Sequence, residues 1–96
     1  NLRINQCPSA RVKALSFDKF RLKKQFDFIA ANLFTEDLIR LKNKLIACLK
    51  PGKYLAVSGI YRDNYLSFRK RFSDQRLRCL RVLVQKNWYA LLFTRR

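Results

Sequence analysis

Histidine is absent from the 96 residues, glycine and proline occur only twice each, and six acidic side chains stand against 22 lysines and arginines. Each shortage excludes a class of chemistry. Without histidine there is no imidazole general base, no Ser-His or Cys-His nucleophile pair and no Cys-His zinc site. Cys7, Cys48 and Cys79 are odd in number and widely spaced, so neither a disulfide framework nor a metal centre is indicated and buried, reduced thiols are expected. The sequence contains no glycine-rich phosphate loop. No apolar run approaches the ~20 residues that cross a bilayer, and no signal-peptide pattern opens the chain, so no membrane contact and a reducing cytoplasm are the expected setting.

What is present argues for packing. Hydrophobic residues make up 49% of the chain, a balance that fits one hydrophobic core in a chain too short for two. The formal net charge of +16 repels the chain from itself and attracts polyanions, which makes RNA contact physically easy. The same charges also serve simply to coat the solvated faces of helices and strand ends.

Along the chain, Asn1 to Asn5 reads as the end of a helix already in progress, which leads us to expect a fragment. Arg11 to Leu15 alternates as a half-exposed strand does. Phe26 to Ala31 is nearly continuous in apolar residues and ends at Asn32, the pattern of a buried parallel strand. Thr35 offers a hydroxyl N-cap, with Glu36 and Asp37 in the first turn where the helix dipole favours negative charge. Leu38, Leu41, Leu45 and Leu49 recur at helical spacing, and Pro51-Gly52 ends the run. Tyr54 to Val57 follows as a second apolar strand, ending at Ser58-Gly59. A second helix is expected from Asn64 to Phe72, capped by Asp63, with Tyr65, Phe68 and Phe72 on one face. Cys79 to Val84 and Trp88 to Phe93 are separated only by Gln85, Lys86 and Asn87, so they should pair as an antiparallel hairpin. The expected class is α/β.

In an open α/β sheet the ligand lies beyond the carboxyl ends of the strands, which puts Asn32 and Ser58-Gly59 at the candidate site. The Asn32 amide donates and accepts at once, which suits holding a polar cofactor group or steering an amine nitrogen without adding charge. An Asx-type turn that merely ends the strand explains the same residue equally well. No catalytic side chain can be named.

Phe26-Asp27-Phe28-Ile29-Ala30-Ala31-Asn32-Leu33 resembles the D-x-x-x-A-N-[IL] stretch of the PrmA family of ribosomal protein methyltransferases. The resemblance continues through Leu49-Lys50-Pro51-Gly52, Ser58-Gly59-Ile60 and Trp88-Tyr89-Ala90-Leu91, in family order. Even Asn1 to Asn5 looks like the family's Asn-rich helix end. Lys53 after Pro51-Gly52 and Asn87 before the tryptophan depart from the family pattern. The resemblance implies a partial Rossmann-like class I methyltransferase fold, with a mostly parallel sheet and a C-terminal antiparallel hairpin. Residues 1–96 would then be the C-terminal part of a single methyltransferase domain, without its cofactor-binding glycine-rich loop. It further implies S-adenosyl-L-methionine as cofactor, Asn32 as a cofactor-binding residue, no metal, and methylation of amino groups on a large-subunit ribosomal protein. Little catalysis is expected from this stretch alone.

A reading of another class is a small basic RNA-binding module, in which Arg69, Lys70, Arg71, Arg76, Arg78 and Arg81 contact phosphates of ribosomal or other RNA. That reading needs aromatics exposed on one sheet face. The strands here are instead dense in Leu, Val and Phe on both faces, as covered sheets are, and Trp88 and Phe93 read as core or hairpin packing.

Overall fold

The computed structural model describes residues 9–12 and 25–96. Strands β1 (Ser9–Val12), β2 (Phe26–Asn32), β3 (Leu49–Tyr61), β4 (Leu77–Gln85) and β5 (Trp88–Arg95) form one sheet in the order β1-β2-β3-β5-β4. Helices α1 (Thr35–Arg40) and α2 (Lys42–Ala47) connect β2 to β3, and α3 (Tyr65–Phe72) follows a short 3-10 turn at Arg62–Asn64. The expected strand, helix, strand unit is therefore present, with β2 and β3 paired in parallel and β1 parallel to β2 on the other side. The strand expected at Arg11 to Leu15 overlaps β1 at Arg11 and Val12. Its later residues, Asn1 to Asn5 and Cys7 lie outside the described residues.

The sheet is mixed, which corrects the expectation of a mostly parallel one. The β3–β5 and β4–β5 ladders both run antiparallel, and together they are longer than the two parallel ladders. The cause is the docking order of the hairpin: its returning strand β5, and not β4, lies against β3. The turn takes only Lys86 and Asn87, because Gln85 already faces Trp88. Lys86 has φ +56°, the left-handed conformation that tight hairpin connections demand.

Register partners on neighbouring strands share a face. One face carries Ile29, Ala31, Leu55, Val57, Ile60, Leu91 and Phe93, all buried. Leu38, Leu41, Leu45 and Ile46 of the α1–α2 segment and Phe68 and Phe72 of α3 complete the same cluster. Burying a side chain of this size contributes roughly 1.5–3 kcal/mol, so this layer dominates stability. The opposite face is only partly covered: Phe28 is buried, whereas Tyr54 and the β4 residue Leu83 are exposed. Trp88 is also exposed and so does not belong to the core, whereas Phe93 does.

Local details depart from the sequence expectations in four places. The helix after β2 is bent at Leu41 (φ −92°, ψ 3°) and not continuous, although Leu41 N still donates to Asp37 O and Leu45 N to Leu41 O at 2.9 Å. The bend sits beside Lys42, whose ammonium reaches the carbonyls of Arg71 and Ser73 at 3.4 and 3.3 Å, a tertiary contact with no local sequence signature. Thr35 is the first helical residue and makes no capping bond, the cap position being Phe34. Asn64, likewise uncapped, precedes α3, and Asp63 lies in the 3-10 turn. Pro51 and Gly52 fall inside β3 as an exposed irregularity, where Gly52 takes φ +79°.

Candidate functional site at the ends of β2 and β3

The two strand ends singled out in the sequence meet. Asn32, the last residue of β2, is the register partner of Ser58 on β3. Gly59 follows with φ +84°, in an irregularity where β3 advances from Val57 to Ile60 while β5 advances only from Leu91 to Tyr89. Such a bulge re-aims the strand end. A Cβ on Gly59 would lie 2.5 Å from Asn32 Oδ1 and 3.4 Å from the Leu33 carbonyl oxygen. The room that glycine leaves is thus taken by the Asn32 amide. Gly59 is needed both for its backbone conformation and to seat that side chain.

Gly59 also lines a cleft of about 480 Å³ between the start of α1, the end of β3 and α3. Thr35 and Glu36 form one wall, and Asn64, Ser67 and Arg71 the other. Arg71 Nη1 contacts the Glu36 carboxylate at 2.9 Å, tying α1 to α3. The rim is aromatic. Phe34 is 80% exposed, and Trp88 meets Tyr61 edge-on with ring centroids 5.2 Å apart. Behind it, Tyr65 stacks on Tyr89 at 4.0 Å, which joins α3 to the hairpin.

That the strands end at Asn32 and at Ser58-Gly59 was legible beforehand. The aromatic rim was missed, although its signal was available: Phe34 and Tyr61 each stand two residues beyond a predicted strand end. The arrangement offers a neutral donor and acceptor at a strand terminus and an exposed aromatic rim, with no histidine or cysteine among the residues that line the cleft. Such a site binds and orients polar groups. Among the described residues no group of three His, Cys, Asp or Glu could hold a metal ion. The donor and acceptor pair of Asn32 fits a polar, uncharged portion of a nucleoside or amino-acid cofactor, so the residues present are compatible with one wall of such a site.

This fold is that of known methyltransferases. The ribosomal protein L11 methylase of Lactobacillus delbrueckii subsp. bulgaricus superimposes with a TM-score of 0.71 at 22% identity, over 77% of this chain and 38% of that one. The N-methyltransferase NodS of Bradyrhizobium japonicum superimposes with a TM-score of 0.63 at 11% identity, over 82% of this chain and 56% of that one. In sequence, the chain is 36% identical to the ribosomal protein L11 methyltransferase of Pelobacter propionicus over 70 residues, which are 73% of this chain and 23% of that protein. The chain belongs to the ribosomal protein L11 methyltransferase (PrmA) family, which it matches across residues 1–96. It spans about a quarter of the length of the first curated relatives it matches.

Proposed function

We propose that this chain forms the C-terminal part of a methyltransferase domain that transfers methyl groups from S-adenosyl-L-methionine to amino groups of a ribosomal protein in the cytoplasm. The observation that carries the proposal is the family match over the whole chain, joined to the seating of Asn32 over Gly59 at the strand ends. When bound, the cofactor supplies an electrophilic methyl group on a sulfonium. Asn32 contributes a cofactor contact from the end of β2. The rim of Phe34, Tyr61 and Trp88 limits water around the acceptor amine, and desolvation favours its neutral, nucleophilic form. A free lysine titrates near about 10.4, so keeping the amine unprotonated is part of the task. The described cleft contains no histidine or thiolate for that step, which fits a reaction that rests on positioning.

The reading of the chain as a noncatalytic RNA-binding module receives no support from the Pelobacter propionicus and Fusobacterium nucleatum relatives, both named ribosomal protein L11 methyltransferase. Calorimetric titration of S-adenosylmethionine into this chain, and into the chain extended upstream, tests the proposal, each with an Asn32→Ala partner. Binding by the extended protein that weakens about tenfold on substitution supports it, as does weak or absent binding by residues 1–96 alone. An extended protein that ignores the cofactor overturns it.

A further inference from the structure

Every Asp and Glu side chain among the described residues has a cationic partner. Asp27 pairs with Lys50, Glu36 with Arg71, Asp37 with Arg40, Asp63 with Arg62, and Asp74 with both Arg76 and Lys42. Among the described residues several arginines have no such partner, and three of them are gathered in one place. A second cleft, of about 310 Å³, lies between the end of α3 and the start of β4 and shares no lining residue with the first. Arg69, Arg78 and Arg96 line it, and none of the three makes an ion pair among the described residues. Arg69 is held by its own helix, donating from Nη1 to Tyr65 Oη at 2.8 Å.

The cleft is lined by one acidic side chain, Asp74. Arg76 grips both of its oxygens at 2.8 Å, and Lys42 stands 3.7 Å away, so its charge is already compensated. The side chains behind the arginines are Phe72, Leu77 and Phe93, all buried. Low-dielectric walls strengthen the field of the charges that rim them. Guanidinium forks match the paired oxygens of a phosphate, and a cleft of about 310 Å³ suits a phosphate of a single strand better than a duplex or a membrane surface.

We propose that this cleft is a phosphate-binding subsite for single-stranded RNA, separate from the strand-end cleft. The choice of RNA over DNA rests on the proposed function, because an enzyme whose substrate is a ribosomal protein works beside RNA. The structure also sorts the basic residues. Arg71 and Arg76 are tied to Glu36 and Asp74, and neither Lys70 nor Arg81 lines the cleft, so Arg69, Arg78 and Arg96 are left to bind.

The test is fluorescence anisotropy of a short labelled single-stranded RNA with the full chain across a salt series, with no cofactor present. The variants are Arg69→Gln/Arg78→Gln/Arg96→Gln, the single Arg78→Gln, and the charge-matched control Lys53→Gln/Arg62→Gln/Lys86→Gln. Each phosphate contact contributes about 0.7 to the magnitude of the log-log salt slope, so the triple cleft variant should lower it by roughly two. It should also bind at least tenfold more weakly than the control at equal salt. Arg78→Gln, at an exposed edge-strand position that leaves the core untouched, should lose about a third of the slope effect. Equal losses in cleft variant and control overturn the proposal, as does binding of polyglutamate as tight as that of RNA, or no RNA binding at all. Failure here leaves methyl transfer untouched, and a protein that does not bind S-adenosylmethionine leaves the Arg cleft's phosphate binding standing.

Discussion

Gly59→Ala places a methyl group 2.5 Å from Asn32 Oδ1, on a backbone with φ +84°. Two costs follow, and they can be separated. Holding a non-glycine residue at such a φ costs about 1–2 kcal/mol whatever surrounds it. A contact below 3.0 Å forces either the alanine or the Asn32 amide to move, and since Asn32 is exposed its side chain can swing away, for about 1 kcal/mol more. The Leu33 carbonyl oxygen at 3.4 Å adds little. Gly59→Ala should thus destabilise the fold by about 2–3 kcal/mol, which for a domain of this size lowers Tm by roughly 4–8 °C per kcal/mol. In an Asn32→Ala background the steric part disappears and the backbone part remains, so Gly59→Ala should cost about 1 kcal/mol less there. Urea unfolding of wild type, both single variants and the double variant measures this coupling, provided the slopes agree. Additivity within about 0.3 kcal/mol would refute the seating of the amide over Gly59, and with it the account of why this strand end carries glycine.

Arg95 Nη1 donates to the carbonyls of Ile46 at 3.1 Å and Leu49 at 2.5 Å, so Arg95→Met removes the side-chain donor that joins the end of α2 to the start of β3 and should cost about 1–3 kcal/mol in chemical denaturation. Hydrogen bonds from the Arg76 side chain and backbone N–H, and the nearby Lys42, hold the Asp74 carboxyl well below the usual carboxylate range. A depressed folded-state pKa stabilises the fold above the unfolded value of about 3.9. The stability gap between wild type and Asp74→Asn should therefore be full at neutral pH and close only as pH falls through the folded value, which unfolding curves measured from pH 7 down to strong acid would track. Burial pushes the Cys48 thiol up, partly offset by Lys44, so Cys48 should resist alkylation and react after half-buried Cys79, as peptide mapping after timed labelling would report. Lys86→Gly removes a side chain from a φ of +56° and should raise Tm by a few degrees, corresponding to up to about 1 kcal/mol.

Which parts of the fold were legible depended on how local their causes are. The apolar run from Phe26 to Asn32, the helical spacing of Leu38, Leu41 and Leu45, and the short spacer before Trp88 each announce an element through neighbours in sequence, and each element is present. The bend at Leu41 and the absent Thr35 cap were not legible, because α1 and α2 are held by their buried leucines and by contacts from α3. The same holds for sheet composition. That two strands would form a hairpin follows from a short turn, but which of them docks on β3 depends on side chains far apart in sequence, such as Leu55 against Phe93 and Val57 against Leu91.

Sequence by itself determined the strand-helix-strand unit, the hairpin, and the nomination of Asn32 and Gly59, because period, turn residues and chain punctuation are short-range properties. Only the tertiary structure decided that these two residues touch, that aromatic side chains from three separate segments rim the cleft, and which arginines are left without a carboxylate. Proximity between residues distant along the chain is created by burying a shared core, and no local pattern records it.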